Sequence, residues 1–80
     1  MKRDKEALKA EERRLQKLRK IVDLTAAVVW QADLTLLEAQ KLIADARSRA
    51  LELFPDKGET FDLIYGPRFR RLLAEKYHLQ

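Results

Sequence analysis

No glycine or proline occurs before Pro55 in this 80-residue chain. Both residue types break helices, so a long stretch without either is typical of extended α-helices. The apolar residues of this stretch recur with helical periodicity and do not alternate as in a β-strand. The sequence therefore predicts an all-α fold, and the chain length predicts a single helical domain over residues 1–80.

The first predicted helix covers about residues 4–32 and carries a seven-residue apolar repeat. The repeat and its companion positions form a seam that comprises Leu8, Leu15, Leu18, Val22, Thr25, Val29 and Ala32. Glu11 is the one charged residue at a seam position. A repeat of this kind indicates a coiled-coil-like helix that packs along one narrow face.

The second predicted helix covers about residues 35–54. Thr35 and Glu38 have the spacing of a capping box, in which each side chain accepts a hydrogen bond from the other residue's backbone amide. Pro55 disfavours helix at the preceding residue and so predicts the end of this helix. A short linker between two helices makes them antiparallel neighbours, which predicts a long helical hairpin.

The remaining sequence predicts a short helical segment at about 60–65 and a final helix at about 67–77. Gly66-Pro67 is expected to separate them, with Pro67 as the first residue of the final helix. The fold class is thus a long antiparallel hairpin plus a short C-terminal helix, a three-helix arrangement. The second helix is too short to cover the first turns of the first, so Leu8 is expected to be exposed. Either the C-terminal helix covers these turns, or a second copy does through dimerisation, or they fray, and the continuing repeat favours a second copy.

This unmatched length of the seam predicts a homo-oligomer, with a dimer favoured over other states or another protein partner. The candidate interface residues are Leu8, Leu15, Leu18, Val22, Trp30, Gln40 and Arg47. Trp30 has two interpretations, core packing or an interface anchor. Arg47 stands within an apolar arc of the second helix, where it either reaches solvent or pairs with Asp23 or Asp62.

Basic residues support an alternative function, the binding of nucleic acid. Helical spacing places four of them on one face of the first helix, and three more alternate with aromatic residues near the C-terminus. These candidates are Lys9, Arg13, Lys17, Lys20, Arg68, Arg70 and Arg71. Phosphate contacts and plain solvation of the charged faces are both compatible with this pattern.

Several classes of protein have little support in the sequence. There is no cysteine, and His78 is the single histidine, so neither a thiol nucleophile nor a typical metal site is expected. No catalytic or cofactor motif occurs, and we expect no enzyme activity, cofactor or small-molecule substrate.

No apolar run approaches the ~20 residues of a membrane span, which predicts a soluble, cytoplasmic protein. Association of the first helix with an anionic membrane surface is the weakest binding hypothesis, because its apolar stripe is narrow.

The function that the sequence favours is a non-enzymatic helical interaction or assembly module. In this hypothesis the protein self-associates through the seam of the first helix. A small nucleic-acid-binding protein is the alternative.

Overall fold

A computed structural model describes residues 2–79 as three α-helices. They are α1 (Lys2–Gln31), α2 (Leu36–Leu53) and α3 (Gly58–Tyr77), and no strand occurs among the described residues. Each helix packs against the other two. The prediction of an all-α, three-helix fold is confirmed.

The linker between α1 and α2 spans only residues 32–35, and its last residue, Thr35, caps the start of α2. The Thr35 hydroxyl accepts a hydrogen bond from the Glu38 amide at 3.1 Å, and the Glu38 carboxylate accepts one from the Thr35 amide at 2.9 Å. The predicted capping box is therefore present. The hydrogen bonds from the Thr35 backbone and side chain hold the pKa of Glu38 below its usual value.

The predicted interruption at Gly66-Pro67 is wrong, because α3 is one helix with Pro67 inside it. Phe61 and Phe69 are both buried and fix the helix to the bundle on either side of the proline. Gly66 has no Cβ to clash with the proline ring, which relieves the restriction on the residue before a proline. Pro67 lies on the exposed side of α3, so water can hydrate the backbone carbonyl that loses its amide partner.

The helix limits differ from prediction in two further ways. The C-terminal helix is not short, since α3 has 20 residues and α2 has 18. It begins at Gly58 instead of near residue 60, directly after the loop at Pro55. A Cβ at Gly58 would lie 3.1 Å from the Arg47 guanidinium, so the absence of a side chain allows α3 to start close against α2.

The core between the helices is small and is built largely of short side chains. Among the described residues, the buried apolar residues are Val22, Val29, Ala39, Ala46, Ala50, Phe61 and Phe69. Three alanines on one face of α2 allow close approach of the neighbouring helices, while the two phenylalanines of α3 fill the remaining space. A core this thin supplies little stability by itself.

The end of α3 closes one end of the bundle. The Lys76 ammonium donates hydrogen bonds to the carbonyls of Val29 and Ala32, at the C-terminus of α1. The Tyr77 hydroxyl donates to the carbonyl of Leu34 at 2.7 Å. The Ala32 carbonyl also accepts a hydrogen bond from the Leu34 amide at 3.0 Å. The lysine thus adds a donor at a helix end, where carbonyls otherwise depend on the linker or on water.

The other end of the bundle is uneven, because α1 is much longer than its neighbours. At ~1.5 Å per residue, α1 is roughly 45 Å long, against roughly 27 Å for α2. The molecule measures 52 × 22 × 16 Å along its principal axes. The first turns of α1, residues 2–10, project beyond α2 and α3, and we refer to them as the overhang.

Candidate self-association surface

An apolar pocket lies at the uneven end of the bundle, next to the overhang. Its lining begins at Glu11, directly after the last residue of the overhang. This end pocket has a volume of about 230 Å³. It is lined by Glu11, Leu15, Leu18, Ala50, Leu51, Phe54, Lys57, Thr60, Phe61, Ile64 and Tyr65. All three helices contribute to it, so the pocket exists only in the folded bundle.

Aromatic residues shape the wall of the end pocket. The Phe61 and Tyr65 rings lie one helical turn apart on α3, with their centroids separated by 5.1 Å. Phe54 ends α2, and the Arg14 guanidinium lies 5.7 Å from the centre of its ring. This contact lies at the level where α2 stops alongside α1, one turn beyond the overhang.

Leu8 and Leu15 are accessible parts of the seam, as the sequence predicts for Leu8. Leu8 is 58% exposed on the overhang, and Leu15 is 38% exposed where it lines the end pocket. Because they are seven residues apart, both side chains lie on the same face of α1. Glu11 lies between them on this face and also lines the pocket.

The other predicted seam contacts are used within the chain. Val22 is fully buried in the core cluster with Ala50, Phe61 and Phe69, and Leu18 packs against this cluster. The prediction that Val22 supplies an intermolecular contact is therefore wrong. The reason is that α2 and α3 cover α1 from the level of the end pocket onward, leaving no room for a second copy at Val22.

Trp30 lies outside the core, which contradicts the core-packing interpretation. Its side chain is 52% exposed, whereas the neighbouring Val29 is fully buried. Successive helical residues differ by about 100° in direction. Because the Val29 side chain points into the core, the Trp30 side chain points toward the surface. The interface-anchor interpretation of Trp30 stays a prediction.

Gln40 and Arg47 lie along the groove between α2 and α3. Gln40 is exposed. Arg47 forms a two-point ion pair with Asp62 of α3, with its Nε 2.7 Å from one carboxylate oxygen and its Nη2 3.1 Å from the other. The hydrogen bond and charge of Arg47 hold the pKa of Asp62 below its usual range. Of the two predicted carboxylate partners, Asp62 is the one that pairs, and it does so within the chain.

The three C-terminal arginines do not form one surface. Arg68 lies 3.0 Å from the carboxylate of Asp23 on α1. Arg70 lies close against Gly66, where an added Cβ would be 3.1 Å from its guanidinium. Arg71 is exposed and lines the same groove between α1 and α3 as Arg68. The sequence grouped the three arginines by adjacency, but the helix separates Arg70 from Arg68 and Arg71.

The basic residues of α1 remain on one exposed face, and the structure adds a further cation to them. Lys9, Arg13, Lys17 and Lys20 are all exposed. Arg49 of α2 joins Lys17 and Lys20 in lining a groove between α1 and α2, together with Ile21, Glu52 and Leu53. Arg49 cannot be assigned to this face from the sequence, because nothing in the local pattern of α2 relates it to residues about 30 positions earlier.

Four further residues have structural roles that the sequence did not indicate, namely Phe54, Ile64, Lys76 and Tyr77. Each acts on a part of the chain distant in sequence, either the α1–α2 linker or the end pocket. The one available signal was the position of Lys76 in the last turn of a helix. That signal does not identify which carbonyls the lysine reaches.

Comparison of the chain with models of protein families, with curated proteins and with solved structures found no match. Among residues 2–79, none of the three helices is long and apolar enough to cross a membrane. Within the same part of the chain, no three acidic or histidine side chains converge as metal ligands. The interpretation of function therefore depends on the geometry of the surfaces described above.

Proposed function

We propose that this protein is a non-enzymatic, cytoplasmic assembly module that forms a homodimer through the overhang and the end pocket. The observation that supports the proposal is the continuation of the seam beyond the bundle. Leu8 is more than half exposed on a helix that leads directly to an open apolar pocket. Isolated helical turns gain little stability in water, so a packing partner would stabilise the overhang.

The amount of exposed surface also favours association. The chain has an accessible surface of 6547 Å². A compact monomer of the same mass exposes only about 5,000 Å², so the protein carries a surplus of roughly 1,500 Å². A stable dimer typically buries about 800 Å² on each partner. The surplus of the whole chain therefore exceeds the area that an interface of ordinary size buries on one partner.

The protruding and concave parts of this surface suit a two-fold dimer. A two-fold interface requires one patch that is complementary to itself. With two α1 helices antiparallel, Leu8 of each copy reaches the Leu15 pocket of the other. The two-fold axis then passes near Glu11, midway between the leucines, and brings the Glu11 residues of both copies together.

The position of Glu11 makes the proposal sharply testable. Removing two like charges from the dimer centre should strengthen association, so we expect Glu11→Leu to lower the dissociation constant at least tenfold. Glu12→Leu adds the same apolar group one residue away, off the seam, and is the matched control. Light scattering on a sized peak across a concentration series measures both. Equal strengthening by the two variants would contradict the proposal, since added hydrophobicity alone would then explain the gain.

Replacing exposed leucines by aspartate tests the same surface through variants that should weaken association. Leu8→Asp should shift the protein to monomer, because it places a charge in an apolar contact. Leu24→Asp is the control, since Leu24 is 65% exposed on α1 but lies away from the seam. A wild-type protein that stays monomeric at millimolar concentration would rule out self-association as the function.

A further inference from the structure

The groove between α1 and α2 is independent of the dimer surface and has a different chemistry. Three cations line it, Lys17 and Lys20 from α1 and Arg49 from α2, and Glu52 is its one acidic lining residue. The apolar side chains of Ile21 and Leu53 also line it. The tertiary structure thus concentrates positive charge from two helices along one groove.

These cations have no partner among the described residues. The two ion pairs found within residues 4–79 join Arg47 to Asp62 and Arg68 to Asp23, both at contacts of α3. The basic groups facing the α1–α2 groove form neither of these pairs. Their charge therefore remains available for a ligand.

The spacing of the cations suits a chain of phosphates. Arg13, Lys17 and Lys20 are exposed on one face of α1, and seven residues of helix cover about 10 Å. Measured along the duplex axis, one strand carries about three phosphates over the same length. Arg49 provides a fourth contact from the far side of the groove. An α-helix of this kind can follow the backbone without reading base sequence.

We propose that the α1–α2 groove binds the phosphate backbone of double-stranded nucleic acid, without sequence specificity, through Lys17, Lys20 and Arg49. Arg13, one turn before Lys17 on the same face of α1, extends this surface beyond the groove. This site differs from the C-terminal arginine segment, where Arg68 is paired with Asp23 and Arg70 lies on a different face from Arg68 and Arg71. It does not depend on dimerisation, because the groove is complete within one chain.

The first experiment measures binding of the full chain to a fluorescent 20-base-pair DNA duplex of arbitrary sequence, by anisotropy, between 50 and 200 mM salt. Four phosphate contacts should weaken binding by about 100-fold over this range. Absence of binding at 50 mM salt, or a flat salt response, would overturn the proposal. Binding to phosphatidylserine vesicles without binding to the duplex would also overturn it.

Matched variants separate the groove from the general positive charge of the protein. Lys17→Gln/Lys20→Gln should weaken duplex binding at least tenfold and reduce the salt slope by about two. Arg70→Gln/Arg71→Gln removes the same charge from α3 and should change the affinity less than threefold. Equal losses in both variants would show that net charge alone is responsible and would overturn the proposal.

A substitution that is expected to strengthen binding provides a further test, because misfolding could explain a loss of affinity but not a gain. Glu52→Gln removes the acidic group from the groove and should strengthen duplex binding about threefold or more. Glu59→Gln, which changes an exposed acid at the start of α3, should have a smaller effect on affinity. If Glu52→Gln gains no more affinity than Glu59→Gln, the groove is not the binding site.

Discussion

Single side chains of α3 join parts of the fold that are distant in sequence. Lys76 and Tyr77 donate hydrogen bonds to carbonyls at the end of α1 and in the α1–α2 linker. Arg47 and Asp62 connect α2 to the beginning of α3. With so few buried residues, polar contacts of this kind contribute a larger share of the stability than in a domain with a thick core.

Lys76→Met should destabilise the protein while keeping the aliphatic part of the side chain. The variant removes the Lys76 donor from the Val29 and Ala32 carbonyls, although Ala32 keeps the Leu34 amide. Hydrogen bonds from charged groups contribute about 2 kcal/mol. Urea unfolding should show this loss in the free energy of unfolding. Lys41→Met, at an exposed position of α2, should change that free energy by less than about 0.5 kcal/mol. Similar effects of the two substitutions would show that the Lys76 contacts are not stabilising.

The Arg47–Asp62 pair should make stability depend on pH in the acidic range. Because the folded protein lowers the pKa of Asp62, the ion pair stabilises the fold above the usual value of 3.8. This contribution is lost as the pH falls through the lowered folded pKa. Asp62→Asn should therefore lose less stability than the wild type between pH 6 and pH 2, as measured by urea unfolding.

Asp45→Asn is the control for this pH effect, since Asp45 is an exposed carboxylate on α2 outside the two ion pairs found in the described residues. It should keep the wild-type loss of stability on acidification. A full loss in Asp62→Asn as well would mean that other groups dominate the acid response.

Among the helices, α3 combines a helix-breaking residue with strong tertiary anchoring. Its buried phenylalanines lie on both sides of Pro67, and its last turn closes the bundle. The packing of these anchors outweighs the intrinsic cost of proline in a helix. The helix ends at His78, whose φ of 55° is the one positive value among non-glycine residues in the described chain.

Replacement of Pro67 by alanine should stabilise the protein by about 2 kcal/mol. Alanine restores the backbone hydrogen bond that proline cannot donate and removes the clash with the preceding turn. Chemical unfolding measures the gain. Pro55→Ala is the control, because Pro55 lies in a loop where the ring chiefly restricts the unfolded chain, so that variant should be neutral or slightly destabilised. A loss of stability in Pro67→Ala would show that α3 depends on the proline geometry.

The sequence predicted the first two helices better than the third, for an identifiable reason. The limits of α1 and α2 depend on local signals, namely the capping box at Thr35 and the proline at position 55. The path of α3 through Pro67 depends on Phe61 and Phe69 packing against α1 and α2. Local propensity alone favours a break at Gly66-Pro67, and long-range packing overrides it.

The whole molecule is elongated, with a thin core and a long unpartnered helix end. These features connect its stability to its proposed assembly. If two copies associate, the folded dimer is favoured at higher protein concentration by mass action. A monomer that folds alone has a stability independent of concentration.

Thermal unfolding across a wide range of protein concentrations tests this connection. We expect the midpoint temperature of the wild type to rise with concentration, and that of Leu8→Asp to stay constant. The contrast follows because the substitution removes the overhang contact and leaves the buried core unchanged. A wild-type midpoint that does not change with concentration would contradict dimerisation in the range examined.

The all-α class, the hairpin and the exposure of Leu8 follow from information within α1 and α2 themselves. A seven-residue repeat, a capping box and the absence of early glycine or proline act over a few helical turns, so they can be recognised without the fold. The lengths of the two helices also indicate that α1 projects. These properties needed no knowledge of long-range contacts.

Tertiary packing alone decided which side chains are buried, which are paired and which surfaces they form together. It buried Val22, turned Trp30 outward and paired Arg47 with Asp62. It also assembled the end pocket from three helices and placed Arg49 beside Lys17. Each of these outcomes depends on which faces of different helices meet, and that choice arises from the sum of many weak packing interactions over the whole chain. A local sequence pattern cannot predict it, because the interacting residues lie far apart in the sequence.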